Sequence, residues 1–536
     1  MRKLFNWKVI FVLVIFLAAF LRLWKLGQVP VSLADDEMRE AYTSYSIAQT
    51  GKDYLGNYLP IVIKIAGYNQ WSQSSIYIAS LFYKFLPLNP FTARLPYALF
   101  GILSVIFFSL VVKEIFGNRV VALLSAAALS VSLWHIQLSR VAMDIDTSLF
   151  MYIAGIYFFL KSKNKTYLLI LSMFFFFLGF YGYGATKVIF IPLIIILIWY
   201  KFRDLTRKYL LIILTMVVLA VGSYTFLSIT QNAASYSGNP FFFQNKKETA
   251  WAVELERRAS VEPGIIETAY YNKFTYWGYT FCDNYLSAFS SQFLFLGAER
   301  DGRFAVFGRG ALYLIELPLL VLGILSAYFR KRKEFYLIGA LLLISPLPSG
   351  VSGTTWMSRS GFMIFPLFMF IGFGIYSLIM LFKKDRYKLI IALVILLGYL
   401  YSVFGYVSQY YYDWSRVNAK YFSRSTQDLV YLVHNYKDKK KEIIVSGPDE
   451  INFIFYAFYN NVSPAQVQKV LKNKPIKFEN ITFQYPCINN GIGDPKNSMA
   501  ADTVYISPVS CHNKAKPDSI IRTYDNTEDV LKVFVK

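Results

Sequence analysis

Runs of mostly apolar residues, each close to the length of a bilayer-spanning helix, recur along this chain of 536 residues. A helix needs about 20 such residues to cross the hydrocarbon core. Candidates lie near 8–26, 92–112, 119–137, 146–160, 166–182, 186–200, 208–228, 311–329, 335–349, 361–382 and 387–406, about eleven spans in all. Runs such as 9–21 and 388–401 are too long and too apolar for exposed segments. The composition agrees, with 55% hydrophobic and 16% charged residues, against about 45–50% and about 25% in soluble domains. Disordered, fibrous and disulfide-scaffold classes are excluded on the same grounds. The chain is a polytopic membrane protein. Its N-terminus looks like the start of a signal peptide, but no small-x-small cleavage site precedes LRLWKL, so it is read as the first span.

Charge orients the spans. With Arg2, Lys3 and Lys8 cytoplasmic, every second loop should be basic. Those loops hold Lys113 and Arg119; Lys161, Lys163 and Lys165; Lys201, Arg203, Arg207 and Lys208; Arg330 to Lys333; and Lys383, Lys384, Arg386 and Lys388. This regularity accounts for much of the net charge of +22. No basic patch accompanies a nucleic-acid-binding motif, so nucleic acid is not an expected partner. An odd number of spans puts the C-terminal tail outside, in a protein of the plasma membrane.

The predicted fold is therefore mainly α: a polytopic membrane helix bundle over 1–406 and a small extracytoplasmic α/β domain over 407–536. The tail mixes amphipathic pieces with β-type runs such as EIIVSG and DTVYIS. The first outer loop, 27–91, contains TSYSIAQTGKDYLGNYLPIVI and QWSQSSIYIASLFYKFL. These aromatic, amphipathic stretches are expected to be helices lying in the membrane interface. A long middle outer loop covers 229–310. Cys487 and Cys511 both fall in the tail, where pairing and two free thiols are equally compatible with the sequence.

Candidate chemistry gathers on the outer side. Asp35, Asp36 and Glu37 follow the first span, where adjacent acids need water, a cation or positive partners. They read either as a solvated loop start or as a general base facing an acceptor. The link after LWHIQLSR brings Asp144 and Asp146 beside Arg140, either as a structural Arg–Asp pair or as a second acid of an acceptor site. Outer-end cations are Arg94, Lys187, Arg300, Arg303 and Arg359. Each suits a lipid phosphate or plain snorkelling. No P-loop, dinucleotide fingerprint or nucleophile elbow stands in its required context. Three His and three Cys without ligand spacing argue against a Cys/His metal site.

In order along the chain, Asp36-Glu37, Ala41-Tyr42, Thr50 to Asp53, Gly56-Asn57, Leu59-Pro60, Arg94 to Pro96, Ser139-Arg140, Tyr181, Tyr183 and Lys187, then NYLSAFSSQFLFLGAERDGR and SPLPSG with SR and FP at 345–366, form a recognisable series. With it the chain resembles the superfamily C membrane glycosyltransferases, specifically the bacterial branch of the dolichyl-phosphate-mannose protein mannosyltransferases (glycosyltransferase family 39), relatives of the aminoarabinose transferases. The resemblance implies sugar transfer from a polyprenyl-phosphate donor to a protein, lipid or glycan acceptor at the outer face, usually with inversion. It implies Asp36 as base, with Glu37 beside it and Asp35 as the alternative register. It implies a second acid at Asp144 or Asp146, and donor-phosphate contacts from Lys187 and Arg359, then Arg94 and Arg300. No cofactor is required, and a divalent metal at residues 35–37 is compatible with the family. The tail is unlike the sugar-binding repeat of eukaryotic members, which weakens the case for a protein acceptor. Competing readings are a lipid or glycan transporter or flippase, a non-catalytic envelope-assembly scaffold, and an oligosaccharide transferase of the same superfamily.

Overall fold

The computed structural model describes residues 6–536 apart from 66–67, 71–72, 231–245, 260–263, 298–301, 307 and 513, with backbone alone at 64–65, 68–70 and 246. Each of the apolar runs is helical, but the helices differ in length. Five are long and apolar enough to cross a membrane: Pro90–Phe116, Arg207–Thr230, Arg332–Ser352, Gly361–Met380 and Asp385–Val417. A sixth counts if Arg119–Ser130 and Leu133–Ser139, bent by 62°, are taken as one span. The helices Thr166–Phe180, Lys187–Lys201 and Glu316–Arg330 have 15 residues each. At 1.5 Å per residue such a helix is about 22 Å long, short of a core about 30 Å thick. The count of about eleven spans is therefore not confirmed among the described residues.

Packing in the bundle depends on close helix approach. The Glu316–Arg330 and Ile364–Met380 helices cross where Gly323 and Gly374 face each other. A Cβ at Gly323 would overlap the Phe370 carbonyl oxygen, and one at Gly374 the Leu319 carbonyl oxygen. Small residues allow such backbone contact between membrane helices. Gly374→Val is expected to destabilise the bundle by about 1–3 kcal/mol through overpacking. Thermal unfolding in detergent reads the effect, and an unchanged melting temperature would refute the crossing.

The tail folds into a six-stranded sheet in the order Ile476–Phe478, Ile481–Gln484, Glu442–Ser446, Thr503–Pro508, Asp529–Val535, Ser519–Arg522. The middle three strands run parallel, and the outer pairings are antiparallel. Parallel strands need helical connections that cover the sheet. Here Asp449–Tyr459 follows the central strand, and its whole stretch Ile451–Phe458 is buried. Phe453 packs its ring on Phe478 and Phe483, with centroids 5.8 and 5.5 Å away. Cys487 and Cys511 are joined in a disulfide, with Cα atoms 6.1 Å apart.

The first loop packs part of its apolar surface against the tail, while Leu81 and Phe85 stay exposed. Its helix Asp35–Thr50 puts Met38, Tyr42 and Ile47 into one apolar core with Phe453, Phe458 and Val504 of the tail. Tyr42 donates to the Val462 carbonyl (2.7 Å), Tyr54 to Glu450 (2.8 Å), and Gln468 to Ser46 (3.1 Å) and to the Asp53 carbonyl (3.0 Å). The second helix, Gln73–Phe82, is tied to the bundle by Ser74 and Ser75, which donate to the Leu178 and Gly182 carbonyls. The Asp35–Thr50 helix buries Met38, Tyr42 and Ile47 because the tail supplies a partner that a scan of the loop by itself does not reveal.

Candidate functional site

Asp35, Asp36 and Glu37 form the first turn of the Asp35–Thr50 helix. Carboxylates are favoured there by the unpaired N–H groups and the helix dipole. Successive helical residues point about 100° apart, so the three acids separate and each finds its own partner. Ser423 donates to Asp35. Arg303 Nη1 donates to Asp36 Oδ2 at 3.0 Å, and the Asp36 side chain keeps 58% exposure. Glu37 turns inward and is fully buried.

Glu37 is saturated. Its Oε1 accepts from Arg94 Nε (3.0 Å) and the Ala142 N–H (2.7 Å), and Oε2 from Arg94 Nη2 (3.1 Å) and the Ala34 N–H (2.9 Å). The rest of the Arg94 guanidinium goes to the carbonyls of Leu26, Pro30 and Ser32. All five of its N–H groups are used, so none is left for a phosphate. Arg94 and Glu37 are thus a structural clamp, in place of the phosphate ligand and acid expected from the sequence. Arg140 does similar work: it donates to the carbonyls of Leu21, Arg22, Trp24 and Val29 and to the Tyr410 hydroxyl, and not to Asp144 or Asp146. The Arg–Asp pair weighed in the sequence is not made.

Helical phase separates the two acids of the next link. Asp144 and Asp146 lie in the first turn of the Asp144–Lys161 helix, two residues apart and so on nearly opposite faces. Asp146 is fully buried and interacts with Arg22, whose Nη2 lies 2.6 Å from His135 Nδ1. Asp144 is partly exposed and interacts electrostatically with Glu40, Tyr97, Tyr183 and Lys187.

The remaining wall is cationic and aromatic. The Lys187 ammonium sits 5.5 Å from the Tyr224 ring and 5.8 Å from that of Phe180. The Arg359 guanidinium lies 4.2 Å over Trp356, close enough for cation–π attraction. Burial pushes the pKa of the Tyr183 hydroxyl up, and the charge of Arg359 opposes the shift. Phe304 stacks at 6.2 Å on Trp356 and at 5.4 Å under Arg303, the partner of Asp36. Contacts therefore run from Asp36 through Arg303, Phe304 and Trp356 to Arg359, and electrostatic interactions link Arg359 with Tyr183, Tyr183 with Asp144 and Asp144 with Lys187. Arg300 lies outside the described residues.

Glu40, Tyr97 and Trp356 join this group without having been singled out in the sequence. Tyr97 donates to Glu40 at 2.8 Å. Burial pushes the Glu40 carboxyl well above the usual carboxylate range, and the charges of Asp144, Asp36 and Glu37 push the same way against the Tyr97 hydrogen bond. The available signal was helical phase: with a helix starting at Asp35, Glu40 stands four residues after Asp36 on the same face. Among the described residues, no three His, Cys, Asp or Glu side chains are grouped to hold a metal ion. The divergence of residues 35–37 to three partners explains why that run makes no such group.

Residues 74–226 match the family model of the dolichyl-phosphate-mannose-protein mannosyltransferases. That segment contains Arg94, Asp144 and Lys187. No curated protein matches the chain by sequence. Among solved structures, ArnT of Cupriavidus metallidurans in the apo state is similar, with TM-score 0.55 and 13% identity, covering 98% of each chain. The same protein bound to undecaprenyl phosphate gives TM-score 0.54 and 12% identity over 98% of each chain. The oligosaccharyltransferase of Archaeoglobus fulgidus in complex with zinc and sulfate gives TM-score 0.50 and 12% identity, over 94% of this chain and 68% of that one. The chain thus contains a segment similar to this mannosyltransferase family and shares the fold of ArnT over nearly its whole length.

Proposed function

We propose that the protein transfers a sugar from a polyprenyl-phosphate donor to a protein, lipid or glycan acceptor at the extracytoplasmic face of the plasma membrane. The observation that carries this reading is a run of neighbouring side chains from an exposed carboxylate, Asp36, through Arg303, Phe304 and Trp356 to the Arg359 cation, with Lys187 held electrostatically by Asp144. The similar ArnT structure bound to undecaprenyl phosphate supports a lipid-phosphate donor. In the proposed step the acceptor's O–H or N–H proton passes to Asp36, and the acceptor atom bonds to the anomeric carbon. The bond from that carbon to the phosphate oxygen breaks, and the electron pair leaves with the polyprenyl phosphate. Lys187 and Arg359 hold the departing charge, which is worth most where water is excluded. Asp144, beside Lys187, orients the ammonium and lines the acceptor side. Basic loops on one side and the Cys487–Cys511 disulfide in the tail support a cytoplasmic N-terminus and an outer C-terminal domain.

The test is the full-length protein in detergent with a panel of radiolabelled polyprenyl-phosphate sugars. Transfer, or donor hydrolysis, with one of them is expected. No consumption of any donor by folded protein would favour the flippase or scaffold reading. Lys187→Ala and Arg359→Ala are each expected to raise the donor KM by roughly 10–100-fold, the loss of one hydrogen bond to a charged group. A donor KM equal to wild type in both would remove these residues from the phosphate site.

A further inference from the structure

A second cavity, of about 310 Å³, opens between the end of the last long helix and the tail domain. One wall is residues 416–421, with Arg416, Asn418, Lys420 and Tyr421. The other is the turn 523–528, which joins the strands Ser519–Arg522 and Asp529–Val535 and presents Tyr524. The turn is stiffly built. Asp525 accepts from the hydroxyls of Thr523 (2.6 Å) and Thr527 (2.7 Å) and from the Thr527 N–H (3.2 Å), while the Thr523 N–H reaches the Glu528 carbonyl at 2.8 Å. Tyr524 therefore projects from a fixed rim with 46% of its surface exposed, and the Arg424 guanidinium lies 4.9 Å from its ring.

This cavity lies close to the residues that hold Asp35 and Asp36. Its Asn418 and Tyr421 pack so closely on Gly302 that a Cβ there would overlap the Asn418 side-chain oxygen. The next residue, Arg303, holds Asp36, and Ser423, two residues beyond Tyr421, holds Asp35. Lys187 and Arg359 are not among the residues that line this cavity. Two tyrosine rings beside an amide, two cations and a hydroxyl-rich turn combine flat apolar faces with many fixed hydrogen-bonding groups. A pyranose has that same dual character, with C–H faces and a rim of hydroxyls, and ligand sites of this kind start at about 300 Å³.

We propose that this cavity binds the carbohydrate part of the acceptor, so that the acceptor is a glycan or glycolipid and not an unmodified polypeptide. The proposal rests on the glycosyltransferase reading and narrows its acceptor. Its test uses the full-length protein in nanodiscs and measures binding of soluble linear tetrasaccharides of mannose, glucose and N-acetylglucosamine, beside a Ser/Thr-rich peptide. Wild type is expected to bind at least one tetrasaccharide. Tyr524→Ala should weaken that binding roughly tenfold or more, as loss of an aromatic anchor does. Tyr524→Phe, which keeps the ring, should restore it, and Tyr485→Ala, on the far rim of the tail, should bind as wild type. The proposal is overturned if no tetrasaccharide binds, if Tyr524→Ala binds as well as wild type, or if only the peptide binds. Donor hydrolysis by wild type is measured in the same preparation, so a failure of the reaction itself is seen separately from a failure of acceptor binding.

Discussion

Asp36→Asn is expected to fold normally and to lose sugar transfer by roughly 10²–10⁴-fold, the usual weight of a positioned general base. The side chain is more than half exposed and its one ion pair, to Arg303, sits at the rim. Exposed pairs contribute about 0–1 kcal/mol to stability, so melting should hardly move. The amide keeps the shape but cannot take the acceptor's proton. Donor binding, measured apart from turnover, should persist because Lys187 and Arg359 are untouched. Full activity in this variant would shift the base to another acid of the recess, with Glu40 or Asp144 as successors. Glu37 is a poor successor, since both of its oxygens already accept two hydrogen bonds.

The opposite pattern is expected for Arg94→Met. Removing one partner of a buried, hydrogen-bonded ion pair costs about 3–5 kcal/mol, because the other charge stays buried without compensation. Here Glu37 would be left in a site with no exposure, and the carbonyls of Leu26, Pro30 and Ser32 would lose their donor. These carbonyls lie in the segment that leads from the first helix into Asp35–Thr50, so the loss should loosen the placement of Asp36 as well. Low folded yield and a large drop in melting temperature are expected. A variant that melts like wild type and shows only a raised donor KM would reinstate Arg94 as a phosphate ligand. Asp36 and Arg94 thus separate by kind of failure: one loses chemistry in a folded protein, the other loses the fold.

The two experiments bear on how much was legible in the sequence. Apolar runs of near-bilayer length and alternating basic loops define a membrane bundle, because hydrocarbon thickness and charge translocation act on local composition. The strand-like runs of the tail are equally local, and they do pair in one sheet. Span count is less local. Whether a helix of 15 residues crosses by itself depends on its neighbours, and only five helices, or six with the bent pair, have the length and apolarity.

Candidate site residues divide the same way. The sequence determined which residue types stand at the ends of the spans: three acids at 35–37, two at 144 and 146, and several cations. Tertiary structure decided what each one does. Helical phase sent Asp36 to the surface and Glu37 to Arg94, and turned Asp144 toward Lys187 and Asp146 toward Arg22. A one-dimensional pattern lists charges, but a charge's role depends on what faces it, and the facing groups come from residues far along the chain. Glu37 meets Arg94, and Asp36 meets Arg303. The first loop became part of the tail's core for the same reason: its apolar face is written locally, while the surface that covers it is supplied from residues beyond 428.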